Sequence, residues 1–271
     1  FLLSPRLWTT QGRFFPVLSP FDNLPAIAFP FDVMLLLLFI GLGIVWIFYK
    51  KRRIGLMAIV SLATILMQDQ MRWQPWVYQY SLLLLPYLLQ TDTKENEKSI
   101  LCCLQWIIAG IYVWSGIQKL NPGFLSQTFV QIAEASGTKL MFSKWKNAGY
   151  IIPFIEILTG LSLLGSKFRK AGIYAAVITH IAILLLLSPL MLNHNSVVYP
   201  WNAAMILFVL LLYKGMKTEE HAINLIRENS FTSLKLMPII LVWVFPVFNF
   251  GATGIITCLF PFIPISRPLF I

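Results

Sequence analysis

The chain has 271 residues, of which 58% are hydrophobic and only 12% are charged. A soluble domain has about 25% charged residues, so this composition excludes an ordinary soluble protein. The net charge of +10 does not indicate a nucleic-acid partner, because the basic residues lie in short segments between hydrophobic stretches. In a membrane protein, basic residues at such positions orient the helices. We therefore predict an integral membrane protein surrounded by membrane lipids.

Stretches without Asp, Glu, Lys or Arg predict the helices in chain order. A helix needs roughly 20 apolar residues to cross the hydrocarbon core of a membrane. The 43 residues of 171–213 are therefore enough for two helices, divided at Asn193–Ser196. With 147–166, which only Glu156 interrupts, we predict an all-α fold, a polytopic transmembrane helix bundle of about eight spans. The uninterrupted stretches are 33–49, 54–68, 73–91, 99–118, 171–213 and 236–266.

Basic loops predict the orientation of these helices. The run Lys50-Lys51-Arg52-Arg53 follows the first span and is expected in the cytoplasm. Alternating spans then bring three further basic loops to the same side, at residues 91–98, 166–170 and 214–235. This pattern predicts a multi-pass protein of a bacterial inner membrane.

We expect three parts along the chain. Residues 1–31 form a segment on the outer side, whose N-terminus we expect to be incomplete because the chain does not begin with methionine. Residues 32–260 form the transmembrane bundle, and residues 261–271 form a short tail. The pair Asn121-Pro122 is typical of an N-cap followed by a first-turn proline. Apolar residues recur on one face after it, which predicts an amphipathic helix on the outer surface near 122–135.

Two ionisable residues lie deep inside predicted spans. Glu156 is ten residues from Ser166, and His180 is ten residues from Lys170, at the inner ends of two neighbouring antiparallel helices. At 1.5 Å per residue, both side chains lie about 15 Å from the inner boundary. We therefore expect the two side chains to approach within hydrogen-bonding range or to share a water or a ligand. Ionisable groups are costly inside a membrane, so the pair is either a polar clamp between helices or a proton-handling site.

A second group of polar residues gathers at helix ends on the predicted outer side. An outward-facing pocket needs polar residues at the same depth in the membrane, and we predict that these residues line such a pocket. The alternatives are that Lys119 complements its helix dipole and that Asp69 and Arg72 form a surface ion pair. No His or Cys cluster has the spacing of a metal site, so we predict no metal. The predicted pocket residues are Asp69, Gln70, Arg72, Gln118, Asn121, Asn195, Trp201 and Asn202, beside Lys119.

The run Tyr112-Val-Trp-Ser-Gly-Ile-Gln-Lys-Leu-Asn-Pro-Gly-Phe124 resembles a motif of the HTTM proteins, the membrane superfamily of vitamin K-dependent γ-carboxylase. A less complete version occurs in DoxX-like membrane proteins. The resemblance extends over roughly residues 30–255, and it implies that Lys119 acts as a base. Residues 72–78 contain no histidine where the carboxylase has its catalytic one, so we do not expect γ-carboxylation.

Three functional hypotheses follow from these residues. The first is a membrane enzyme acting on a lipid or a quinone, with Lys119, Glu156 and His180 as catalytic residues. The second is a non-enzymatic structural or accessory subunit of a larger complex with other membrane protein subunits, since no complete catalytic set is present. A transporter is a third and weaker hypothesis, because the sequence has no paired broken helices and no inverted repeat.

Overall fold

The structure of the chain is a computed structural model. The described residues are 4–13, 16–20, 26–89, 94–121, 123–135, 137, 148–191, 198–213 and 239–243. All regular secondary structure in these ranges is helical, which confirms the predicted all-α fold. The α-helices are α1 (Pro5–Trp8), α2 (Phe31–Tyr49), α3 (Arg52–Met67), α4 (Pro75–Leu89), α5 (Lys94–Lys119), α6 (Phe129–Ala135), α7 (Ile151–Leu164), α8 (Arg169–Leu187) and α9 (Tyr199–Tyr213).

Three of these helices are long and apolar enough to cross a membrane. They are α2, the Ser99–Lys119 part of α5, and α8. Two shorter apolar helices cover Ala148–Leu164 and Tyr199–Tyr213. The chain is thus an integral membrane protein, while the number of spans, their orientation and the boundaries at residues 31 and 260 stay predictions. Of the last predicted span, only residues 239–243 are described, and they are helical.

The chain divides into two compact units, and α1 to α4 belong to the first. Within this unit α2 and α3 pack against each other as a hairpin. Gly55 makes close packing possible, because a Cβ atom there would lie 2.9 Å from the Trp46 ring and 2.5 Å from Leu88 Cδ2. Asp32, in the first turn of α2, accepts hydrogen bonds from the backbone N–H and the hydroxyl of Thr10. The N-terminal segment is therefore fastened to the start of α2.

The second unit is built around four helices. Helix α5 packs against α7, α7 against α8, α8 against α9, and α9 against α5, so the four helices form a closed ring. At the contact of α5 with α7, a Cβ atom on Gly116 would lie 2.5 Å from the Pro153 carbonyl oxygen, and one on Gly160 would lie 2.6 Å from the Ala109 carbonyl oxygen. Glycines let helix backbones approach closely in a membrane, so these two residues set the spacing of α5 and α7.

A helical segment lies between α5 and α7 in the chain. It begins with a five-residue π-helical turn, Phe124–Thr128, and continues as α6. The Asn121 side-chain oxygen accepts the backbone N–H of Phe124 at 2.8 Å. Leu125 packs on Gly149, directly before α7. A helix is thus present close to the predicted range 122–135. Its position on the outer face of the membrane stays a prediction.

Candidate functional site

The end of α5 is joined to α7 by a salt bridge. The Lys119 ammonium lies 2.6 Å from Glu156 Oε2, and it also donates to the Ser115 hydroxyl at 2.6 Å and to the Ser115 carbonyl oxygen at 3.3 Å. An ammonium group has three N–H donors, so each of them has an acceptor here. The Glu156 side chain is only 7% exposed, whereas that of Lys119 is 29% exposed. The buried carboxylate therefore has a cation that still reaches the surface of the unit.

A second set of hydrogen bonds joins α5, α8 and α9. His180 is buried in α8, and its Nε2 atom lies 2.8 Å from the Tyr112 hydroxyl while its Nδ1 atom lies 2.8 Å from Asn202 Oδ1. The rings of Tyr112 and His180 also meet edge to face, with centroids 5.7 Å apart. The Asn202 side-chain nitrogen donates to the Val198 carbonyl oxygen at 2.9 Å. Every nitrogen of the imidazole therefore has a partner.

The Val198 carbonyl fixes the direction of this hydrogen-bond chain. A carbonyl oxygen only accepts, so Asn202 must present its nitrogen to Val198 and its oxygen to His180. His180 Nδ1 then carries the hydrogen that it donates to Asn202. In a neutral imidazole the other nitrogen is an acceptor, so Tyr112 donates its hydroxyl hydrogen to Nε2. For the neutral imidazole, this arrangement therefore selects the tautomer with the hydrogen on Nδ1.

We call Tyr112, Ser115, Lys119, Glu156, His180 and Asn202 the polar layer. It takes residues from all four helices of the ring. Glu156 lies near enough to His180 and Tyr112 to interact with both electrostatically. Among the described residues Glu156 and His180 make no direct hydrogen bond to each other, while a water or ligand shared between them stays a prediction. Each of the two residues has other partners, because Lys119 takes the carboxylate and Tyr112 and Asn202 take the imidazole.

Three predicted pocket residues lie in the first unit, where they bind the N-terminal segment. Asp69 is fully buried, forms a salt bridge with Arg13 and accepts the backbone N–H of Leu18. Arg72 is also buried and donates to the carbonyl oxygens of Leu7 and Ile65, and Gln70 donates to that of Ser19. Burial lowers the pKa of the Arg72 guanidinium, and the nearby Asp69 carboxylate opposes this effect. The predicted surface ion pair is in fact buried, and a pocket role for the three residues stays a prediction.

The remaining predicted pocket residues belong to the second unit. Asn202 joins the polar layer through His180, whereas Lys119 has Glu156 as its partner and not Asn202. Asn121 donates to the Gln118 carbonyl oxygen and caps the helical turn that follows. Trp201 is half-buried on α9, and Asn195 lies outside the described residues.

Sequence reasoning did not single out Tyr112 and Ser115 as site residues. The signal was present, because Tyr112, Ser115 and Lys119 follow one another at spacings of three and four residues. Residues at these spacings lie on one face of a helix. A polar face of this kind on an otherwise apolar membrane helix predicts polar partners on a neighbouring helix.

Part of the second unit is similar to a known protein family. Residues 97–198 match the family model of the methylamine utilisation protein MauE. No curated protein and no solved structure matches the chain. The MauE match overturns the resemblance to the HTTM superfamily, which is a distinct family. The run around Lys119 was misleading because aromatic residues, small residues and a lysine at a helix end are general features of membrane helices.

The matched residues contain most of the polar layer. They include α5 from residue 97 onward and all of α7 and α8. Tyr112, Ser115, Lys119, Glu156 and His180 lie within the match, which ends four residues before Asn202. The similarity to MauE therefore concerns three of the four helices that carry the layer, and it does not extend to the first unit.

Proposed function

We propose that this chain is a non-enzymatic accessory subunit of a multi-component membrane system that serves methylamine utilisation. The observation that carries the proposal is the MauE match across α5, α7 and α8. The partners would be other membrane protein subunits, which contact the chain within the bilayer.

The geometry of the polar layer supports an accessory role. The three N–H groups of Lys119 and both nitrogens of His180 have partners in the chain itself. A general base needs a lone pair that can reach a substrate proton. The Lys119 ammonium offers none, and the acceptor nitrogen of His180 already binds Tyr112. The Glu156 carboxylate keeps Oε1 without a hydrogen bond to the described residues, but its side chain is only 7% exposed and is bound to Lys119. The layer is therefore better suited to joining helices than to acting on a substrate.

Growth and purification together test this proposal. The gene would be deleted in the organism that encodes it, and growth would be compared on methylamine and on ammonium as the nitrogen source. We expect the deletion to impair growth on methylamine only, and the wild-type gene to restore it. A tagged chain purified from native membranes in mild detergent should bring other membrane subunits with it.

Each arm of this experiment has an outcome that contradicts the proposal. Equal growth of the deletion strain and its parent on methylamine would overturn the link to methylamine utilisation, as would an equal defect on ammonium. A tagged chain that purifies alone from membranes of methylamine-grown cells would overturn the accessory role. A tagged, unrelated multi-pass protein from the same membranes is the control for nonspecific co-purification.

One observation favours a second candidate, a membrane enzyme that acts on a lipid or a quinone in an outward-facing pocket. Lys119 remains 29% exposed beside a buried carboxylate, so a ligand headgroup has access to the ammonium. Mass spectrometry of the purified protein would distinguish the candidates. A stoichiometric quinone or lipid that is lost in Lys119→Met but kept in the control Lys170→Met would favour the enzyme.

A further inference from the structure

The charges of the polar layer balance, and Lys119 is less buried than Glu156, His180 and Asn202. Among the described residues, the charged and titratable groups of the layer are Lys119 and Tyr112 on α5, Glu156 on α7 and His180 on α8, while α9 contributes the uncharged Asn202. With His180 neutral, the ammonium and the carboxylate cancel. Glu156, His180 and Asn202 are 6%, 6% and 2% exposed, compared with 29% for the Lys119 side chain.

Lys119 is the member of the layer that is able to leave it. It is the last residue of α5, and its side chain turns back along the helix to reach Ser115. Lysine side chains near helix ends readily extend toward the membrane surface, where the ammonium is hydrated. In that rotamer, Glu156 would remain inside the ring without its cation.

The layer contains no other donor that compensates the carboxylate with a positive charge. A neutral His180 gives its only hydrogen to Asn202, and Tyr112 then gives its hydrogen to His180. An unpaired carboxylate is costly in an apolar interior and becomes neutral by taking up a proton. A proton also needs no cavity, in contrast to any larger cation.

Thr159 supports a second arrangement of the layer. It lies three residues after Glu156 on the buried face of α7, and it is 3% exposed. Its hydroxyl has no hydrogen-bond partner within the described part of the chain. Glu156 Oε1 likewise makes no hydrogen bond to the described residues, because the salt bridge uses Oε2. A buried hydroxyl without a partner is unusual, and Glu156, one turn earlier on the same helix face, could bond to it after its carboxyl group rotates.

We propose that the polar layer is a proton-binding site in which one proton on Glu156 replaces the Lys119 ammonium. Lys119 keeps its own proton when its side chain moves out. One proton from the aqueous phase at that end of α5 adds to the Glu156 carboxylate and forms a carboxylic acid, so the layer stays neutral. Thr159 then bonds to the protonated carboxyl group, while the chain from Tyr112 through His180 to Asn202 is unchanged. This inference is independent of the proposed accessory role.

Infrared spectroscopy of the full-length protein in lipid nanodiscs tests the exchange. Lys119→Met removes the ammonium and keeps an unbranched side chain that is one atom shorter. At neutral pH we expect no carboxylic-acid C=O band from Glu156 in the wild type and one such band in Lys119→Met, with the usual shift in D2O. The band should disappear in the double variant Lys119→Met/Glu156→Gln. Lys170→Met, at an exposed position on α8, is the matched control and should resemble the wild type.

Three results would overturn the proposal. The first is a Lys119→Met spectrum without the band, which would mean that Glu156 stays ionised without its lysine. The second is a band that persists in the double variant, and the third is an imidazolium signal of His180 in the ¹⁵N NMR spectrum of Lys119→Met. If Lys119→Met does not fold, Lys119→Gln serves as the second variant with the same expected band, because it is also uncharged but keeps a donor.

Discussion

Both units bury charged side chains, but the hydrogen-bond partners of these side chains differ between the units. In the first unit, Arg72 donates to two backbone carbonyl oxygens, and Asp69 accepts two backbone N–H groups in addition to its salt bridge. In the second unit, Lys119, Glu156 and His180 bond mainly to side chains, most of them on other helices.

This difference determines what each cluster is able to do. A backbone amide or carbonyl has a fixed direction and a fixed protonation state, so the first cluster has one arrangement that fastens the N-terminal segment. Side chains rotate and exchange protons, which is what the second arrangement that we propose for the polar layer requires. Substitutions in the first unit should therefore act on stability alone, whereas those in the polar layer should also change protonation.

The largest expected effect is that of Asp69→Ala. It leaves the buried Arg13 and Arg72 without their carboxylate, and breaking a buried pair costs about 3–5 kcal/mol. The measurement is the free energy of unfolding in denaturant, together with protease cleavage of the segment before α2. Asp69→Asn is the control, because its oxygen still accepts the N–H groups of Leu18 and Met71. Equal losses for the two variants would show that the charge of Asp69 contributes nothing.

A smaller effect is expected at the contact of α5 with α7. Gly160→Ala puts a methyl group 2.6 Å from the Ala109 carbonyl oxygen and 2.9 Å from the Val113 backbone nitrogen, and backbone atoms move aside only with the whole helix. Overpacking of this kind costs about 1–3 kcal/mol. Gly165→Ala is the matched control, since its nearest neighbours are 3.9 Å away. If both variants unfold alike, close packing of α5 on α7 does not hold the second unit together.

Replacement of Glu156 sharpens the comparison, because it separates polarity from charge. Glu156→Leu removes the hydrogen bond between the carboxylate and the Lys119 ammonium and should cost about 2 kcal/mol, which is typical of a hydrogen bond to a charged group. Glu156→Gln keeps an acceptor oxygen and should cost less. Thermal unfolding in nanodiscs measures both variants. A larger loss for Gln than for Leu would contradict a polar clamp between α5 and α7.

The helices could be predicted from the sequence, because a charge-free segment long enough to cross a membrane must satisfy its backbone hydrogen bonds internally, and a helix does so. Residues 33–49 and 99–118, for example, correspond closely to α2 and to the apolar part of α5. The candidate residues Glu156, His180 and Asn202 could also be found, because each is polar inside an apolar stretch, and Lys119 could be found because it ends one.

The pairing of these residues could not be predicted in the same way. Counting residues gives the depth of a side chain along a helix, but it does not give the rotation of the helix about its axis. Helical side chains also lean toward the N-terminus, so Lys119 reaches back to the level of Ser115 and meets Glu156 there. Tyr112, one turn deeper, then takes the position beside His180 that Glu156 was expected to occupy.

The smallest effect is expected from Tyr112→Phe, which tests the direction of the hydrogen-bond chain. The ring still packs edge to face on His180, but Nε2 loses its donor, and one lost hydrogen bond costs about 1 kcal/mol. Tyr174→Phe is the control, because Tyr174 is 68% exposed on the same helix as His180. The ¹⁵N NMR signal of His180 Nε2 should shift toward that of an unbonded acceptor nitrogen in Tyr112→Phe, while Nδ1 stays protonated. A variant in which Nε2 carries the hydrogen instead would mean that Tyr112, and not Asn202 with Val198, fixes the tautomer. The hydrogen-bond chain from Tyr112 through His180 to Asn202 would then have no fixed direction. His180 could in that case take up a second proton and balance the negative charge of Glu156.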